Sequence, residues 1–62
     1  MNLSRYETMD PNLLVGLVNT GLRNDAEDLD DFVKMHGIDR GKLEERLRSA
    51  GFEYSEEIRQ FR

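Results

Sequence analysis

Residues 32–47 read FVKMHGIDRGKLEERL. An apolar helix end runs into a glycine, Ile38-Asp39 restarts the chain, and a second amphipathic run begins. This is the outline of a helix-turn-helix, whose second helix enters the major groove while basic groups hold phosphates. Gly37 is placed as the left-handed C′ residue that stops one helix. Asp39 caps the next, and Ile38 at N′ can staple to Leu43 at N4. Leu43, Leu47 and Ala50 form the apolar stripe of that helix, expected over about 40–50. Gly51 stops it, and Phe52 at C″ should fold back onto Leu47 at C3. Gly41 in its first turn costs about 1 kcal/mol relative to Ala. Three residues depart from a tight DNA-binding pattern. Val33 stands where a small residue lets the helices approach, His36 stands at an apolar position, and Arg46 stands where a core residue is common.

Upstream, Asp10-Pro11 is a helix start, with Asp10 as N-cap and Pro11 at N1, where no N–H is needed. Met9 at N′ can staple to Leu14 at N4. Leu13, Leu14, Leu17, Val18 and Leu22 recur at helical spacing, with Val15 at the margin, so the first helix is expected over about 11–23. A short acidic link, Asn24 to Glu27, leads to Asp28 as the next N-cap, with Asp31 in capping-box position. The second helix, about 29–36, buries Leu29, Phe32, Val33 and either Met35 or His36. At two turns it needs tertiary support. Residues 1–9 lack periodicity and read as an extended arm, although Tyr6 and Met9 can pack on the body. Residues 10–62 form the single domain.

Downstream, GFEYSEEIRQFR alternates Phe52 and Tyr54 with Glu53, a strand pattern. Pairing Phe52 with Phe61 and Tyr54 with Arg59 places both Phe rings and the Tyr on one face, around a four-residue loop. An isolated hairpin is marginal, so this one must lie on the helices. The rival is a short fourth helix from Ser55, because SEEIRQF also has a capping-box start. The expected fold is therefore mainly α with a small β-hairpin: a three-helix, helix-turn-helix-like domain followed by a C-terminal hairpin, the element order of a winged helix. Its core should draw on Leu14, Leu17, Val18, Leu22, Leu29, Phe32, Val33, Ile38, Leu43, Leu47, Phe52, Tyr54 and Phe61.

The segments DPNLLVGLVNTGLRND, LDDFVKMHGID, KLEERLRSAGFEY and SEEIRQF resemble a short bacterial family of unknown function, domain-of-unknown-function family 4250. The resemblance covers residues 9 to 61. Its most specific pieces are DP-x-x-LL, VN-x-x-LR(N/D)D, and G-(F/Y)-E-Y followed by QF. It implies the element order, and it transfers no catalytic residue, ligand or partner.

The totals exclude more than they assign. A 62-residue chain without Cys has a small core and neither disulfides nor Cys-based metal sites. The net charge of −4 disfavours non-specific attraction to phosphate or anionic lipid. No signal-peptide h-region is visible, and the longest apolar run, Leu13 to Val18, is far below the roughly 18 residues of a membrane span. The expectation is a cytoplasmic protein with no membrane contact. One His and no paired nucleophile make a catalytic set implausible. His36 reads as a half-buried helix-end residue bonded to a carbonyl. The acidic run NDAEDLDD lacks the spacing of a Ca²⁺ loop, and capping explains it. No enzyme activity, cofactor or metal is expected.

Two surfaces remain. From Arg40 to Arg48 there are four bases and two acids, whereas Asp25 to Asp31 holds five acids and no base. Lys42, Arg46 and Ser49 share one flank of the third helix, and Arg59 and Arg62 can join from the hairpin as a nucleic-acid face. The plainer account is i,i+4 pairing of Arg40–Glu44 and Glu44–Arg48 on a solvated helix. The second surface is on the first helix, which has no charged residue between Asp10 and Arg23. Its back carries Asn12, Gly16, Asn19 and Thr20, where an exposed helix usually carries Lys or Glu. Gly16 and Gly21 are poor helix formers that permit close approach. Either the arm covers this back through Tyr6 or Leu3, or a second copy does. The leading expectation is a non-catalytic protein-interaction module, with a homodimer through the first helix in view. DNA binding is the alternative.

Overall fold

The computed structural model describes residues 5–62. Helices α1 (Pro11–Asn24), α2 (Leu29–His36) and α3 (Arg40–Arg48) precede an antiparallel hairpin of β1 (Tyr54–Ser55) and β2 (Gln60–Phe61). The mainly α architecture with a small C-terminal hairpin is therefore the one read from the sequence, and SEEIRQF forms no fourth helix.

Each helix starts on an aspartate. Asp10 accepts from the Asn12 N–H at 2.9 Å, Asp28 from the Asp31 N–H at 2.9 Å, and Asp39 from the Lys42 N–H at 3.1 Å. These bonds satisfy donors that the helix itself leaves unpaired. The Asp31 carboxylate closes its capping box one residue early, accepting from the Glu27 N–H at 3.1 Å. Both expected glycine stops are present. At Gly37 (φ 64°), Ile38 N–H donates to the Val33 carbonyl at 3.0 Å and Gly37 N–H to that of Lys34 at 3.4 Å. At Gly51 (φ 87°), Phe52 N–H reaches the Leu47 carbonyl at 3.0 Å and Gly51 N–H that of Arg48 at 2.9 Å. Both are Schellman turns. The second one consumes Ser49 and Ala50, so the regular part of α3 ends two residues before the expected 50, and Ala50 is exposed.

The core joins Leu14, Val18 and Leu22 of α1 to Leu29, Phe32 and Val33 of α2, Leu43 and Leu47 of α3, and Phe61 of β2. Leu17, Ile38, Phe52 and Tyr54 pack half-buried around it. One stripe assignment is corrected, that of Leu13, and the choice between Met35 and His36 is resolved. Leu13 is 58% exposed and Met35 52% exposed, while His36 takes the inner position with its ring 4.5 Å from that of Phe32. The Nε2 of His36 is buried with no partner among the described residues, so the expected carbonyl bond is not made at that atom.

The described part of the arm is not extended. Thr8 and Met9 N–H groups both donate to the Arg5 carbonyl at 3.0 Å, which closes a turn. That turn buries Tyr6, whose hydroxyl accepts from the Asp39 N–H at 3.4 Å. Leu3 lies outside the described residues.

The hairpin register differs from the expected one by two residues. Tyr54 pairs with Phe61 and Ser55 with Gln60, and Glu53 and Arg62 exchange both main-chain bonds at 3.0 Å. The loop keeps its four residues but runs from Glu56 to Arg59, with Arg59 at φ 57°. A two-residue slip leaves every side chain on its face, so pattern alone does not choose between the registers. Tertiary bonds choose. The Tyr54 hydroxyl accepts from the Leu29 N–H at 3.2 Å, and Asn19 of α1 grips Phe61 from the other side.

Candidate interaction surfaces

Two glycines stand on opposite sides of α1. Gly21 is buried, and a Cβ there would collide with the edge of the Phe32 ring. Its lack of a side chain is thus used by the fold, letting α1 and α2 approach. Gly16 is exposed, and a Cβ there would meet nothing within 4 Å. No packing among the described residues requires a glycine at Gly16, yet glycine in a helix interior costs about 1 kcal/mol relative to Ala.

Around Gly16 the structure gathers Asn12, Leu13 and Thr20, all exposed and uncharged. The Thr20 hydroxyl donates to the Gly16 carbonyl at 2.8 Å. Leu13 was missed as part of this surface because its spacing also suits the core stripe. Its position three residues before Gly16 and seven before Thr20 was the available signal. Asn19, expected on the same surface, is spent internally. Its amide donates to the Phe61 carbonyl at 3.0 Å and accepts from the Phe61 N–H at 2.8 Å. Tyr6, one of the two proposed covers, is directed to the α2–α3 turn by its bond to Asp39.

Lys42, Arg46 and Ser49 line one groove with Glu7 and Glu45, but Arg59 and Arg62 of the hairpin are not part of it. Arg46 is half-buried, and its guanidinium donates twice to the Met9 carbonyl, at 3.0 and 2.8 Å. Lys42 sits 3.7 Å from the Glu7 carboxylate, and the Ser49 hydroxyl donates to the Arg46 carbonyl at 2.6 Å. The N-terminal turn therefore engages Arg46 and borders the flank of α3 read as a nucleic-acid face, while Lys42 and Ser49 stay exposed. Arg59 lies elsewhere, in a groove shared with Asp28, Asp30 and Glu56. Arg62 is exposed at the end of the hairpin.

One cation is locked. Arg40 bonds Asp30 at 2.6 Å and Glu44 at 2.9 Å, and lies over the Tyr54 ring at 5.7 Å from its centre. The hydrogen bond to Asp30, then that to Glu44, holds the guanidinium firmly in its charged form. Of the two expected i,i+4 pairs, Arg40–Glu44 forms, and Glu44–Arg48 is not among the ion pairs of the described residues. The described residues hold no cluster of three or more His, Asp or Glu arranged for a metal ion, and no helix long and apolar enough to cross a membrane.

Searches of curated proteins and of solved structures return no match. A family model does match, Domain of unknown function (DUF4250), over residues 8–61. That span takes in all three helices, both glycine stops and the hairpin, and on it the chain belongs to this family.

Proposed function

We propose that the protein is a small non-catalytic interaction module, and that the outer side of α1 is its docking surface for a second copy. Gly16 carries this reading. It weakens the helix it sits in, and the described residues give it no packing role. A glycine on a two-fold axis lets two helix backbones approach closely, and a symmetric pair meets through the same patch on both copies. The absence of charge supports the choice of occupant. On a chain of net charge −4, this is the face on which two copies meet without like-charge repulsion. Leu13 supplies apolar area beside the crossing point, and its burial against a neighbour is favourable by roughly 25 cal/mol per Å².

The engagement of Arg46 with Met9 and of Lys42 with Glu7 favours this reading over a nucleic-acid one. Sedimentation across a wide concentration range tests it. The wild type should pass from monomer to dimer, and Gly16→Arg should remain monomeric with an unchanged helical circular-dichroism spectrum. A wild type that is monomeric at every concentration, or a Gly16→Arg variant that still dimerises, overturns the reading.

A further inference from the structure

The two edges of the hairpin differ. Glu53 and Arg62 exchange both bonds of a ladder pair, so the next pair, Tyr54 and Phe61, turns its N–H and C=O groups outward. On the β2 side these groups are met by the Asn19 amide, which imitates a neighbouring strand. On the β1 side, no hydrogen bond from the described residues meets the Tyr54 N–H or C=O. Tyr54 instead lines a groove of about 320 Å³ between α3 and β1, bordered by Arg48, Phe52 and Glu53. A second groove of about 230 Å³ shares Arg40, Tyr54 and Glu56 with it and extends to Asp28 and Arg59. The opening is short, since the Phe52 N–H is already bonded to the Leu47 carbonyl. The open N–H and C=O of Tyr54 beside a groove can still pair with one residue of an added strand, the flanking side chains supplying specificity.

The charges select the occupant. Arg40 is held by Asp30 and Glu44, which leaves Asp28, Glu53 and Glu56 against Arg48 and Arg59 along the two grooves. The lining thus retains an acidic excess within an acidic chain. A second copy offering its own β1 would bring Glu53 and Glu56 into that lining, so self-pairing here is disfavoured.

We propose that the open edge of β1 receives an extended, lysine- or arginine-bearing segment of a partner protein as a third strand. This is independent of the α1 surface and stands or falls separately. The test is an amide-resolved NMR titration of the full chain with three blocked hexapeptides, KTVTVK, ETVTVE and KTPTPK. The first should shift the Tyr54 amide and its neighbours, and bind at least about five-fold more tightly than the acidic peptide. The proline peptide has the same charge but lacks two backbone donors, and should leave Tyr54 unmoved. Glu56→Lys, in the exposed loop, should weaken the basic peptide several-fold while leaving the spectrum otherwise native. An unmoved Tyr54 amide at millimolar KTVTVK, equal binding by ETVTVE, or equal binding by KTPTPK would each overturn the proposal.

Discussion

The two sides of α1 obey different rules. On the inner side, Leu14, Val18, Gly21 and Leu22 are buried, and the choice of glycine follows from the Phe32 ring lying where a Cβ would be. On the outer side, Asn12, Leu13, Gly16 and Thr20 are exposed, and the described residues dictate none of them by packing. A helix that satisfied only its own fold would carry good helix formers and charge on its outer side. The contrast teaches that a residue is informative when it is costly and the fold does not use it. Gly21 is costly and used, whereas Gly16 is costly and idle among the described residues.

Four variants break or sharpen this contrast. The largest effect is expected for Phe32→Ala, which removes a fully buried ring and should cost about 3–5 kcal/mol in urea unfolding. Gly21→Ala should cost about 1–3 kcal/mol by overpacking. The two are coupled: in a Phe32→Leu background, Gly21→Ala should lose much of its penalty, and full additivity would show that the ring is not what excludes the Cβ. Asn19→Ala, which leaves both Phe61 groups without their partner, should cost about 1–2 kcal/mol. The smallest effect has the opposite sign. Gly16→Ala should stabilise the monomer by up to about 1 kcal/mol, read as a higher urea midpoint at low concentration. The same substitution should weaken dimerisation. A Gly16→Ala variant that gains no stability as a monomer would mean that the fold does use this glycine.

Much of the fold was legible because its signals are local. Asp10, Asp28 and Asp39 each cap within two or three residues, and Gly37 and Gly51 each stop a helix by bonds to residues just upstream. The hairpin register was not legible, since a two-residue slip preserves the faces and the deciding contacts come from Leu29 and Asn19, far along the chain. The same limit hid the role of Arg46. Its partner is the Met9 main-chain carbonyl, and a carbonyl leaves no mark in a sequence. For the candidate surfaces, the uncharged back of α1 was visible in composition. That Leu13 belongs to it and Asn19 does not depends on where the hairpin lands.

The grip of Asn19 on Phe61 also bears on the order of folding. It spans 42 residues, while the caps and glycine stops close over five residues or fewer. Contacts of such separation come late, since the chain entropy of closing a long loop must be overcome first. The three helices should therefore form before the hairpin docks. In the native state the Phe61 amide should exchange with solvent by release of the C-terminal segment alone, at a lower free energy than the amides of α1. The last eight or so residues are thereby a latch, held by the Asn19 amide together with the buried Phe61 ring.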